Sequence, residues 1–264
     1  MKQILGLLLL ILIAACTAQQ PKEQASDPGG TNHANPSPDG GALIQSQQNN
    51  QTSDPETKQQ GQESSADEVM LDVPIIAQNP ELKFGCEVTS LTMLLRHAGI
   101  QADKMKLAAE LPKDNDPVVK SKSGDITHWG NPEHGFVGDI TGRTKGYAVY
   151  VKPLEALMMK YLPDRTVNLT GGSFDDVIAK LREGKPVVVW TTGDYKLPDR
   201  WESWKHGQEE IRTPLDLHAV VVVGFNPGHV FVNDPLTGRK AQKVNKQTFI
   251  DTWVTMGKQA LTYR

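Results

Sequence analysis

Gly85-Cys86-Glu87-Val88-Thr89-Ser90-Leu91-Thr92-Met93-Leu94-Leu95-Arg96-His97-Ala98-Gly99 combines a helical apolar pattern with a cysteine at its head. Val88, Leu91, Leu94, Leu95 and Ala98 fall on one face, which predicts a helix over 86–98 with Gly99 as its C-terminal cap. A thiol at the first turn of a helix meets the partial positive charge of that terminus, so its thiolate forms more easily. Glu87 works against this. Successive helical residues diverge by about 100°, so its carboxylate either points away or faces the sulfur, and in the second case it raises the thiol pKa.

Upstream, Leu71 to Ala77 reads as extended chain. Downstream, Asp103 is placed to cap a short helix over Lys104–Leu111, and Lys152-Pro153-Leu154 opens another, with proline in the first turn. Between them runs an irregular stretch, Pro112 to Gly146, rich in Gly, Asp and Lys; loops of that length are usually functional or mobile. Ser173, followed by Asp175 and Asp176, caps a helix that ends at Gly184.

Beyond Gly184 the period changes. Pro186–Thr192 and the valine-rich run 217–225 read as buried strands. Asn226-Pro227-Gly228 is a turn, 229–234 a third strand and 240–244 a fourth. Asn245 caps a last helix through Trp253. Helices come first and an antiparallel meander follows, so the fold class is α+β, with the Cys86 helix packed on a C-terminal sheet.

A thiol nucleophile needs a base, and the chain has seven histidines. His33 lies far upstream, His97 sits three turns along the Cys86 helix, and His128, His134 and His206 fall in loops. His218 opens the valine-rich strand, where a polar residue is either a hydrogen-bonded strand end or the base. Asp234 ends the next strand, either as a turn-starting aspartate before Pro235 or as the group that orients the imidazole. A tight hairpin at Pro227-Gly228 sets Asp234 opposite residues 219–221; its face depends on a one-residue register. Candidate oxyanion donors are the Cys86 backbone N–H and the Gln78 amide.

The second cysteine has a different setting. Lys2 precedes the aliphatic run Ile4 to Ile13, and Ala14-Ala15-Cys16 follow, the pattern of a secretory signal. Small residues ending in Cys resemble the lipobox of bacterial lipoproteins. That resemblance implies cleavage before Cys16 and lipidation of its sulfur, hence an extracytoplasmic protein anchored to the bacterial cell membrane. Residues 16–67 are dominated by Gln, Asn, Ser, Pro, Gly and Asp and cannot bury enough apolar surface to fold. They form a tether of about 50 residues, with an r.m.s. reach of roughly 40 Å. Residues 68–264 suit a single domain. A net charge of −3, without a basic run, argues against nucleic acid as a partner. No phosphate loop, Cys-x-x-Cys pair or closely spaced metal ligands occur, so neither cofactor nor metal is expected.

Gln78, then Gly85-Cys86-Glu87-Val88-Thr89-Ser90-Leu91, then His218 to Gly224-Phe225, then Asn233-Asp234-Pro235 resembles the papain-like cysteine peptidases. More closely it is similar to the bacteriocin-leader (double-glycine) peptidase-like family in a standalone extracytoplasmic form. The order Gln, Cys, His, Asp and the His–Asp separation of 16 both match, as do Trp129 to Asp139 and Tyr147 to Pro153-Leu154. The similarity spans about 71–255. It implies Cys86 as nucleophile, His218 as general base and acid, Asp234 as orienter and Gln78 as oxyanion donor. Glu87 departs from the family's usual glycine after the nucleophile. There is also no transporter domain, so fold and catalytic set carry over better than substrate.

The expected function is a thiol hydrolase of peptide or amide bonds acting through an acyl-enzyme. Its substrates would be exported peptides, surface proteins or cell-wall cross-links. Trp129, Gly135 and Phe136 are candidate substrate contacts. Two other readings are a peptide- or wall-binding lipoprotein with a degenerate site and an acyltransferase or transglutaminase-type variant.

Overall fold

Valines at 187–189 and 220–223 alternate between two cores, and that alternation organises the molecule. The structure, a computed structural model, describes residues 67–264. The segments expected as signal peptide and tether, with Cys16 between them, lie up to residue 66 outside the described residues. In chain order the elements are β1 (Val69–Met70), α1 (Cys86–His97), α2 (Lys104–Glu110), β2 (Lys113–Asp114), β3 (Val119–Lys120), β4 (Ile126–His128), β5 (Phe136–Val137) and α3 (Val151–Met159). There follow β6 (Thr166–Asn168), α4 (Phe174–Arg182), β7 (Val187–Thr192), β8 (Trp201–His206), β9 (Glu209–Pro214), β10 (Leu217–Phe225), β11 (His229–Asp234), β12 (Arg239–Asn245), α5 (Lys246–Thr255) and β13 (Ala260–Tyr263).

The principal sheet is antiparallel and runs β12-β11-β10-β7-β13-β6, with β1 paired to β10. On β7 and β10, Val188, Trp190, Val221 and Val223 join a core with Leu91, Leu94 and Leu95 of α1, Leu107 of α2 and Leu154 of α3. The intervening Val187, Val189, Val220 and Val222 join a second core with Val177 and Leu181 of α4 and Phe249 and Trp253 of α5. A strand period of two thus turns a continuous valine run into two buried faces. The caps behave as their residues require. Asp103 accepts from the N–H groups of Met105 and Lys106, Asn245 accepts from Thr248, and Ser173 and Asp176 form a reciprocal capping box.

The mixed α and β architecture, with the Cys86 helix packed on an antiparallel sheet, matches the sequence expectation; strands outside that sheet add to it. The meander is interrupted between β7 and β10 by the β8–β9 hairpin, which belongs to a separate four-stranded sheet, β3-β4-β8-β9. The stretch 112–146 is not structureless, since β2 to β5 lie within it, and His128 and His206 stand on strands rather than loops. β13, a strand of four residues, sits between β7 and the edge strand β6 of the principal sheet. No helix among the described residues is long and apolar enough to cross a membrane.

Candidate active site

Cys86 is the first residue of α1, and no side chain caps that terminus. Gly85 before it is held tightly: a Cβ there would come within 2.5 Å of the Leu82 Cβ, so only glycine lets the chain turn into the helix at this point. Ser90, one turn on, donates to the Ala219 carbonyl at 3.1 Å and ties the thiol's helix to the residue after His218. Nearly the whole of α1 is buried, and Cys86 itself is 6% exposed.

Glu87 does not turn aside. Its carboxylate is fully buried, takes the Val149 N–H on one oxygen at 2.9 Å and the Cys86 thiol on the other at 3.3 Å. Burial and the adjacent Glu87 charge push the Cys86 thiol well above its ordinary range, against a smaller opposing contribution from the Ala219 backbone. Burial also lifts the Glu87 carboxyl to about 7, with the Val149 N–H resisting the rise. The resting site holds a neutral thiol, so the helix terminus alone does not generate a thiolate.

His218 and Asp234 meet through the β10–β11 hairpin. Val221 pairs with Asn233, and carrying the pairing one step further sets Asp234 beside Val220, diagonal to His218 and on its face. The His218 Nε2 lies 2.8 Å from Asp234 Oδ1. Three more donors converge on the carboxylate: Leu236 N–H at 2.9 Å, Thr237 hydroxyl at 2.9 Å and Tyr195 hydroxyl at 3.2 Å. Burial opposes ionisation of Asp234, but the hydrogen bonds, led by His218, outweigh it and hold the carboxyl down to about 2. With an ionised acceptor on Nε2, the tautomer is fixed: Nε2 carries the hydrogen and Nδ1 the lone pair.

Cys86, His218 and Gln78 line one cleft of about 550 Å³, together with Phe84, Tyr147, Leu217 and two leucines at its lip, Leu215 and Leu236. Gln78 is 2% exposed. Its Nε2 donates one hydrogen to the Lys83 carbonyl at 2.8 Å, and its Oε1 has no partner within the protein. The second amide hydrogen remains for an incoming oxygen. A carbonyl held between that hydrogen and the Cys86 backbone N–H would be polarised for attack.

The three candidate substrate contacts are placed elsewhere. Phe136 is wholly buried in the core of α1 and α3, and Trp129 packs on Tyr147 and Trp204. Gly135 serves close packing, because a Cβ there would fall 2.5 Å from the Lys113 carbonyl carbon. Loop aromatics and a loop glycine are needed to seat the β2–β5 pair and are withdrawn from the cleft. Tyr195 and Thr237 were not singled out from sequence. Thr237 had a local signal, a hydroxyl three residues after a turn-starting Asp; Tyr195 had none.

The sequence profile of the Peptidase_C39 like family matches residues 70–261. The uncharacterized protein YvpB of Bacillus subtilis strain 168 is 36% identical over 182 residues, which is 69% of this chain and 70% of that protein. A crystal structure from Bacillus anthracis, described as a candidate C39-like peptidase, is 40% identical and superposes with a TM-score of 0.68 over 75% of this chain and 97% of that one. The chain belongs to the Peptidase_C39 like family.

Proposed function

We propose that the protein is a cysteine peptidase-like hydrolase of peptide or amide bonds, held outside the cell membrane by lipid on Cys16. The observation that carries the catalytic reading is the His218–Asp234 contact of 2.8 Å in the cleft that Cys86 and Gln78 also line. His218 Nδ1 takes the thiol proton as sulfur attacks the carbonyl carbon. The tetrahedral oxyanion rests on the Cys86 N–H and the Gln78 amide. The leaving amine collects the proton from His218 as the C–N bond breaks, leaving a thioester. Water then attacks that thioester, its proton passes to His218, and the acid leaves as the proton returns to sulfur. Leu215 and Leu236 at the lip favour substrates with apolar side chains beside the scissile bond. Exported peptides, surface proteins and cell-wall peptides are the substrate classes that fit such a location.

Incubation of the full chain with an envelope-derived peptide mixture, read by mass spectrometry, tests the catalytic reading. Cleavage by the native chain and none by Cys86→Ala or His218→Ala is expected; turnover by Cys86→Ala overturns it. Labelling with a radioactive fatty acid, lost in Cys16→Ser, is expected for the anchor; unlabelled native chain overturns that part. A binding protein with a silent site draws on one observation, the Glu87 carboxylate 3.3 Å from the sulfur. Its signature is a Cys86 inert to iodoacetamide from pH 6 to 9 in the presence of bound peptide.

A further inference from the structure

Carboxylates and imidazoles scattered between residues 114 and 209 meet at one place outside the cleft. Asp114, His134 and His206 offer donor atoms that all lie within 4.8 Å of one another, the one such group of three among the described residues. His206 Nε2 stands 3.1 Å from Asp114 Oδ2 and 3.3 Å from Asp116 Oδ2. His134 Nδ1 is 3.9 Å from the same Asp114 oxygen. Asp116 is also served by His128, whose Nε2 lies 3.3 Å from the same Asp116 oxygen. Asp114, in contrast, faces ring nitrogens of both His134 and His206, and a carboxylate has no hydrogen to give to a ring lone pair. A cation among the three binds the carboxylate and both lone pairs at once. Donor atoms around a tetrahedral zinc, each at 2.0–2.1 Å, lie about 3.3 Å apart, close to the spacings around His206.

The surroundings hold these donors in place. Asp114 accepts from the Asn131 N–H on Oδ2 and from the Asp116 N–H on Oδ1, both at 3.0 Å. Asn131 in turn takes the Glu133 N–H at 2.9 Å and gives its amide to Glu209 at 2.8 Å. Backbone and amide contacts behind the ligands are what orient a metal site. The Asp114 side chain is 8% exposed and that of His134 is 52% exposed, so the cluster is rooted inside and reachable from solvent.

We propose that Asp114, His134 and His206 bind one zinc ion that clamps three segments: the end of β2, the turn 131–134 and the end of β8. Imidazole with carboxylate suits zinc, whereas calcium and magnesium take oxygen donors alone. These three ligands leave the fourth position of the tetrahedron to water or to the Asp116 carboxylate beside His206. The ion stiffens the wall shared with the cleft, where Lys145 lines both the Cys86 cavity and the cavity beside Asp114 and Asp116.

Equilibrium dialysis of the full chain against zinc, with metal analysis, tests this. One zinc per chain is expected, with affinity falling at least roughly tenfold in His206→Ala and in His134→Ala, and unchanged in Cys86→Ala. His134 is half exposed, so its variant is expected to fold, checked by circular dichroism. Cobalt in place of zinc should give the absorption of a tetrahedral ion without a thiolate band, and excess zinc should raise the Tm of the native chain but not of His134→Ala. The proposal is overturned by no zinc retained after dialysis, by equal retention in both histidine variants, by a thiolate band, or by calcium binding as tightly as zinc.

Discussion

The head of α1 and the end of β11 each bury a carboxylate beside the same cleft, and the two are treated oppositely. Glu87 is fully buried with one backbone N–H and one weak thiol donor, and its carboxyl rises to about 7. Asp234 is 1% exposed with four donors, and its carboxyl falls to about 2. Burial is common to both, so it does not decide the sign. The supply of hydrogen bonds, together with the electrostatic pull of the His218 imidazole on Asp234, decides it. The consequence is a division of labour: Asp234, held down to about 2, faces the imidazole as a carboxylate, while Glu87, raised to about 7, faces the thiol beside it.

Emptying either region of its reacting group gives the largest effects. Cys86→Ala or His218→Ala should lower kcat/KM for any confirmed substrate by roughly 10⁴-fold or more, with the circular dichroism spectrum retained. Next comes the Asp234 corner itself. Asp234→Asn removes the charge that holds His218 and should cost on the order of 10³-fold in kcat. It should also cost about 2 kcal/mol in denaturant stability as the Thr237, Tyr195 and Leu236 donors lose an ionised acceptor. A variant with native kcat would mean that the imidazole is oriented by something other than Asp234.

Glu87 is the sharper test of the contrast, with a smaller effect. In Glu87→Gln the thiol loses the adjacent charge, so Cys86 should titrate lower and alkylate roughly tenfold faster with iodoacetamide at pH 7, the size of one pKa unit. Slower alkylation would instead make Glu87 the proton acceptor for the sulfur. The same variant should alter the stability curve. Between 4.5 and about 7 the folded chain keeps a proton on Glu87 that the unfolded chain releases. Stability therefore falls as pH rises through that window, by a few kcal/mol at most, and stays lowered above it. Asp234 runs the other way: its contribution is complete above 3.8 and disappears as pH falls through about 2. Urea midpoints from pH 4 to 8 should slope downward less in Glu87→Gln than in the native chain; parallel curves would show that Glu87 is ionised throughout.

What could be read from sequence follows the same division. The α1 face, the valine runs and the helix caps at Asp103, Ser173 and Asn245 were legible because periodicity and capping are local. His218 and Asp234 were legible as a pair because a two-residue turn ties their strands together. The direction of the Glu87 carboxylate was not, because it depends on the Val149 N–H, 62 residues away. The β8–β9 hairpin was missed because Glu202, Lys205, Glu209 and Glu210 mask its alternation. The histidine and aspartate cluster was missed because its members are neighbours only after β4 pairs with β8. The buried Trp129 and Phe136 were misread because length and aromatic content alone do not distinguish a binding loop from one folded inward.

Ser90 joins the two regions and gives the smallest effect. Its hydroxyl, wholly buried, reaches from the thiol's helix to the Ala219 carbonyl at 3.1 Å, one residue past the imidazole. Ser90→Ala removes that bond without creating a large cavity, so the expected loss is about 1 kcal/mol in denaturant stability. The instructive quantity is its coupling. If this bond sets the distance between sulfur and imidazole, Ser90→Ala should lower kcat severalfold in the native background and very little once Asp234→Asn has already freed the ring. An effect on stability with no change in kcat would mean that the α1–β10 packing holds the helix without it, since Leu91, Val221 and Val223 share one core there. The division between the two carboxylates would then rest on apolar packing alone.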